Sequence, residues 1–216
     1  MPTQLLPHVA QYTHERLDEF SQISDERKAD LEKIANFISN NKEKKQTDLI
    51  FICTHNSRRS HLSQIWAQTA AHFYGFKNVK TYSGGTESTA FNPRAVHALE
   101  KAGFEIEKKT GGDNPVYMVT YSSMDPTIKA FSKKFSHQQN PQQGFCAVLT
   151  CSQADDACPF VPGAEERIAI PYDDPKAFDG TDQEEPQYDE RCRQIAREML
   201  YIFSKVEVLY PASTNY

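Results

Sequence analysis

No stretch of this chain approaches the roughly 18 consecutive apolar residues of a membrane-spanning helix. Its opening residues, MPTQLLPHVAQYTHERLDEF, also lack the basic-then-apolar order of a signal peptide. The expectation is a cytoplasmic protein with no membrane partner. Basic clusters are equally scarce. None exceeds KEKK at 42–45, and the formal net charge is -5, so no nucleic-acid partner is expected. No Cys-x-x-Cys pair occurs, which sets aside the usual zinc knuckles and leaves no metal site to propose. The five cysteines, at 53, 146, 151, 158 and 192, are odd in number and follow no export signal. Both features argue against a structural disulfide framework and for catalytic or redox use of some of them. Internal repeats are missing as well.

What is present is the profile of one globular domain with room for an extension: 216 residues, 38% hydrophobic, 25% charged, with a mean hydropathy of -0.65. Residues 1–46 read as helices. One segment includes Leu17 and Phe20, and a second is capped by Ser24, with Leu31, Ile34, Ala35, Phe37 and Ile38 on one face. From Asp48 short apolar runs alternate with helical segments, the pattern of a parallel sheet covered by helices. LIFIC (49–53), NVKTYSGG, VYMVTYSS (116–123), FCAVLT (145–150) and ERIAI (166–170) are the expected strands. Helices are expected from Ser60 to about Tyr74, after Asn92-Pro93 as far as Gly103, over DPTIKAFSKKF, and along YDERCRQIAREMLYIFSKVEVL. SHQQNPQQG (136–144) reads as a flexible polar loop, and 211–216 as a frayed tail.

The chemistry concentrates in ICTHNSRRS, where a buried strand ends on Cys53 and a helix opens at Arg59-Ser60. A helix start leaves backbone N–H groups unpaired, and a loop of small and polar residues can turn more of them inward, making an anion cradle. Arg59 at its rim presents a planar fork that matches two oxygens of a tetrahedral oxyanion. One cation at about 4 Å favours a thiolate by roughly 4 kcal/mol at an effective dielectric near 20, so the sulfur is expected to be a nucleophile aimed at the central atom. The plainer reading is a buried strand-end cysteine with a surface arginine nearby. Cys146 and Cys192 read as small buried hydrophobes.

Two further motifs follow strands of the same sheet. CSQADDACP (151–159) holds Cys151 and Cys158 with six residues between them. Such a pair can meet only if the segment rearranges, which suits a relay, although two buried thiols would also satisfy it. Asp173-Asp174-Pro175 follows ERIAI, either as an ordinary turn opener or as the source of an acid.

ICTHNSRRS resembles the signature loop of the low-molecular-weight protein tyrosine phosphatases and of their relatives, the thioredoxin-coupled arsenate reductases. TYSGGTESTAFNPRAVHALEKAGFEI (81–106), VLTCSQADDACPFVPG and PYDDP extend the resemblance over most of 47–208, apart from an enlarged region around 108–144. It implies a three-layer α/β sandwich with a central, mainly parallel sheet of four or slightly more strands over 47–210; the helical extension over 1–46 has no counterpart in it. It also implies roles. Thr54, His55, Asn56, Ser57, Arg58, Arg59 and Ser60 would surround an arsenate or phosphate-like oxyanion, with Ser60 bonded to the thiolate and Asn56 stiffening the loop. Cys53 would attack, Asp174 would be the general acid, and Cys151 and Cys158 would pass oxidation outward to thioredoxin as external reductant, with no tightly bound cofactor. Three departures stand out: His55 replaces a usual glycine, Arg58 replaces a common second cysteine and is expected to face solvent or recruit anions, and Gln64 replaces a glutamate often linked to a cation. The reading reached is arsenate reduction. Its rivals are phosphotyrosine hydrolysis through phosphocysteine, which needs neither Cys151 nor Cys158, and an inactive oxyanion-binding module.

Overall fold

Alternation of period two along TDLIFIC decides which layer each side chain enters. In the computed structural model, which describes residues 5–157 and 160–209, this segment is the central strand β1 (Thr47–Cys53). Leu49 and Phe51 enter a large core, and Ile50 and Ile52 a smaller one on the opposite face. A strand buried on both faces reads as a continuous apolar run, which is why LIFIC was visible in the sequence.

The chain begins with α1 (Pro7–Leu17) and α2 (Asp25–Asn40), the latter capped by Ser24 Oγ accepting from the Arg27 N–H at 3.2 Å. After β1 come α3 (Arg59–Phe73), β2 (Val79–Gly85), α4 (Pro93–Lys101), β3 (Glu105–Lys108), β4 (Tyr117–Thr120), β5 (Ile128–Ala130), β6 (Phe145–Leu149), α5 (Ser152–Ala157), β7 (Ala164–Ala169) and α6 (Glu184–Leu209). The main sheet has four strands in the order β2-β1-β6-β7, all parallel. The large core joins α1 to α4 and α6 to one face of that sheet, whereas α5 and adjoining loops form a thinner layer on the other. The expected three-layer sandwich is therefore present, with unequal outer layers.

Within the expected extension, α1 and α2 pack on α6 and contribute Val9, Leu31, Ile34 and Ile38 to the same core as the sheet. The enlarged region supplies β4 and β5, which join β3 just before it in a second, antiparallel sheet in the order β3-β4-β5. Here one expectation fails. DPTIKAFSKKF is not a helix; Ile128–Ala130 pairs with β4 in the register Val119↔Ile128 to Tyr117↔Ala130. Its apolar positions fit either period over so short a run, and the open edge of β4 decides in favour of a strand. The 136–144 loop is irregular but anchored, because buried Asn140 donates its amide to the carbonyls of Ser83 (3.1 Å) and Phe135 (3.0 Å). Residues 158, 159 and 211–216 lie outside the described set, so Cys158 and the expected frayed tail do too.

Candidate active site

The chain runs from β1 to β2 on one side and returns to β6 on the other, so the sheet has a topological switch point at the carboxyl ends of β1 and β6. Open parallel sheets leave a crevice there. Cys53 ends β1, and Cys151 lies just beyond β6, brought level by the register Ile52↔Leu149. Both sulfurs belong to the small core beneath the crevice. Thr54 Oγ1 lies 3.5 Å from Cys151 Sγ, linking the residue after one cysteine to the other. The Ala154 N–H donates to the same sulfur at 3.3 Å.

The loop from Cys53 to Ser60 is held from outside by its carbonyls. Thr86 N–H donates to Cys53 O, Glu87 N–H and Thr86 Oγ1 to Thr54 O, Thr89 Oγ1 and Ser132 Oγ to His55 O, and Asn92 N–H to Ser57 O. The N–H groups of His55 to Arg58 have no acceptor among the described residues. Asn56, Ser57 and Arg58 are buried, and a strand-to-helix turn with inward N–H donors has the geometry to hold an anion.

Asn56 carries the left-handed turn, at φ 44°. Its side chain donates to Ser60 Oγ at 2.9 Å and accepts from the Lys133 N–H at 2.9 Å, tying the loop to the segment after β5. Ser60 Oγ in turn sits 3.1 Å from Cys53 Sγ. His55 is not in the left-handed region, so its side chain is accommodated without strain; it stands half-exposed, with Nε2 3.7 Å from Glu87.

Arg58 does not face solvent. It is buried and gives Asp174 two hydrogen bonds, at 2.8 and 3.3 Å. Arg59 adds a third to the same carboxylate at 2.8 Å and donates from its other nitrogen to Tyr172 O at 2.8 Å. Pairing draws Arg58 inward, since a buried guanidinium needs an anion and Asp174 supplies it. Burial by itself would raise the Asp174 carboxyl, but the Arg58 hydrogen bond and the charges of Arg59 and Arg58 outweigh it and hold the group below the usual carboxylate range.

Cys146 and Cys192 are fully buried. Burial pushes the Cys146 thiol far up and that of Cys192 up to about 12, and Trp66 Nε1 donates to the Cys192 sulfur at 3.2 Å. Residues that the motifs did not flag complete the site: Thr86, Thr89 and Ser132 on the collar, and Lys133 behind it. Each comes from a distant strand end, and nothing in its spacing marks it. A cation behind the loop does not fit these residues, because Gln64 is neutral, commits its amide nitrogen to Thr81 O at 3.1 Å, and shares its cavity with the buried ammonium of Lys133.

A cysteine at a switch point, under a loop of free N–H groups with arginine at its rim, defines a class of oxyanion-handling cysteine enzymes. Comparison with known proteins agrees. The family described as low molecular weight phosphotyrosine protein phosphatase matches residues 48–142. An arsenate reductase of Halalkalibacterium halodurans is 30% identical over 136 residues, covering 63% of this chain and 79% of the relative. One from Bacillus licheniformis is 29% identical over 157 residues, covering 73% and 94%. The crystal structure of a low molecular weight protein tyrosine phosphatase from T. tengcongensis superposes with a TM-score of 0.52 at 15% identity, covering 74% of this chain and 99% of that one. The chain belongs to the arsenate reductase family within the low molecular weight phosphatase fold.

Proposed function

We propose that the protein reduces arsenate to arsenite in the cytoplasm, with thioredoxin as its reductant. The observation that carries this reading over phosphomonoester hydrolysis is Cys151, buried beside the loop with its sulfur 3.5 Å from Thr54 Oγ1. Hydrolysis would need no second sulfur at this place. In line with that, Lys176 and Ala177 follow Pro175, where phosphotyrosine phosphatases of this fold would carry aromatic walls.

Arsenate enters the cradle of loop N–H groups, and its oxygens take the Arg59 guanidinium from Asp174. Ser60 Oγ donates to the Cys53 thiolate, which attacks arsenic. Asp174 protonates the departing oxygen, which leaves as water, and a Cys53–arsenic bond remains. Cys151, as thiolate, then attacks the Cys53 sulfur. A 53–151 disulfide forms, the sulfur–arsenic bond breaks, and its electron pair stays on arsenic, which departs as arsenite. Cys158 attacks Cys151, the thiolate of Cys53 is regenerated, and a 151–158 disulfide passes to thioredoxin, which returns two electrons.

The test is arsenate-dependent NADPH oxidation coupled through thioredoxin and thioredoxin reductase, run beside hydrolysis of an aryl phosphate. Cys53→Ser is expected to abolish both. Cys151→Ser and Cys158→Ser are expected to abolish reductase turnover and to spare hydrolysis. Hydrolysis without arsenate turnover in the intact protein would select the phosphatase, and inertness in both assays with an unreactive Cys53 would select a binding module.

A further inference from the structure

A cavity of about 840 Å³ opens between α3, the outer strand β2 and the segment that includes β5. That is the size of a small-molecule site. None of the loop residues from Cys53 to Ser60 lines it.

Its charge runs against that of the chain. Although the formal net charge is -5, the wall carries Lys77, Lys80, Lys129 and Lys133 against a single carboxylate, Asp125. That carboxylate is already engaged by His72 Nδ1 at 2.6 Å. Lys133 is the deepest of the four, 5% exposed, and has no carboxylate partner among the described residues. Burial, followed by repulsion from Lys129, lowers its ammonium to about 8. A buried cation without an anion is unfavourable, and a ligand anion would relieve it.

The wall also presents acceptors that receive nothing. Gln64 Oε1 and Asn140 Oδ1 are buried and without a donor among the described residues, as is His72 Nε2. Turning the amides over would not help, because Gln64 Nε2 is held by Thr81 O and Asn140 Nδ2 by the carbonyls of Ser83 and Phe135. With Nδ1–H given to Asp125, His72 Nε2 is an acceptor too. Native structures rarely leave three buried acceptors bare around one cavity. Lysines for an anionic group and bare acceptors for hydroxyl donors together describe one kind of occupant.

We propose that this cavity binds a phosphorylated, hydroxyl-bearing metabolite, its phosphate on the lysines and its hydroxyls on Gln64 and Asn140. The site is separate from the oxyanion loop, and the proposal does not rest on arsenate chemistry. It touches the loop from behind, because Lys133 donates its N–H to Asn56 Oδ1 and Asn140 donates to Ser83 O on β2. Occupancy there can therefore be felt at Asn56, which carries the loop's left-handed turn.

The test is calorimetric titration of the full chain with ribose 5-phosphate, glucose 6-phosphate and 3-phosphoglycerate, after carboxymethylation of Cys53 to close the catalytic loop to anions. At least one is expected to bind one per chain, about tenfold more tightly than inorganic phosphate and than the same sugar without its phosphate. Lys80→Gln and Lys129→Gln, both at exposed positions, are expected to weaken that binding about tenfold each, with an unchanged melting temperature. The proposal is overturned if none of the three binds below about 10 mM, or if binding is indifferent to the phosphate or to both lysine substitutions.

Discussion

Two arginines share one carboxylate at the mouth of the loop, and the proposed acid is the residue they share. Asp174 takes hydrogen bonds from Arg58 and Arg59 while its oxygen also caps the short helical turn at Lys176. The clamp keeps the carboxyl below its ordinary range, so Asp174 sheds its proton at lower pH than a free aspartate would. An acid must hold its proton to act, and kcat/KM therefore falls as pH rises past that value. Arg58→Gln removes a charge-assisted bond worth roughly 1.5–3 kcal/mol, and the alkaline limb of kcat/KM is expected to move up by about 1 pH unit or more. The sign of the stability effect runs the other way. A depressed carboxyl stabilises the fold above its unfolded value of about 3.9 and loses that contribution as pH falls through the folded value. The loss of stability as pH falls below about 4 is thus expected to be shallower in Arg58→Gln than in the parent. Identical pH–rate limbs in the two proteins would remove Arg58 from control of the acid. At this scale the sequence disclosed residue types in their motifs but not their partners. Arg58 looked like a surface charge because nothing local reveals that Asp174, 116 positions away, will face it.

The end of β2 shows how far element-level reading reaches. The strand was legible as NVKTYSGG, and Asn92-Pro93 and Gly103 marked the bounds of α4 correctly, because caps and breakers act within a few residues. The reason for the paired glycines was not legible. Gly85 pairs with Cys53 in register, and a Cβ there would meet Glu87 O at 2.2 Å, and Asn56 N and Thr54 O at 2.7 Å. All three atoms are backbone, two of them in the loop that follows β1, so none can swing aside. Gly85→Ala is expected to cost about 1–3 kcal/mol by overpacking and to lower arsenate turnover by more than the lost folded fraction explains. Chemical denaturation measured with the kinetics separates the two, and turnover that merely tracks the folded fraction would contradict a displaced loop. The segment misread as a helix marks the same limit. A run as short as IKA takes its conformation from the edge it meets, here β4, because its own residues fit either period.

For the whole molecule, the parallel α/β architecture was readable from the order of apolar runs, whereas the use made of residues 1–46 was not. An amphipathic helix pattern says that one face will be covered, but not by what. In the fold, α2 reaches the site through Arg27. Arg27 donates to Glu198 of α6 at 2.8 Å and to Ile170 O at 3.2 Å, and its guanidinium lies 4.7 Å from the centre of the Tyr172 ring. The carbonyl of Tyr172 is the acceptor that orients Arg59. The helices at the start of the chain thus brace Arg59 from behind, through the strand end that leads to Asp174. Arg27→Ala leaves Glu198, 2% exposed, as a buried charge with its main partner removed, a loss on the order of 3–5 kcal/mol. In a chain of this size that corresponds to a melting temperature lower by about 10 °C. Because Tyr172 loses its cationic cover at the same time, KM for arsenate is expected to rise even at temperatures where the variant is fully folded. Replacing both partners, Arg27→Met with Glu198→Leu, is expected to recover most of the melting temperature but not the KM, since the contact with the Tyr172 ring stays lost. Recovery of both by the double variant would mean that α2 contributes stability alone and that the catalytic loop is positioned without it.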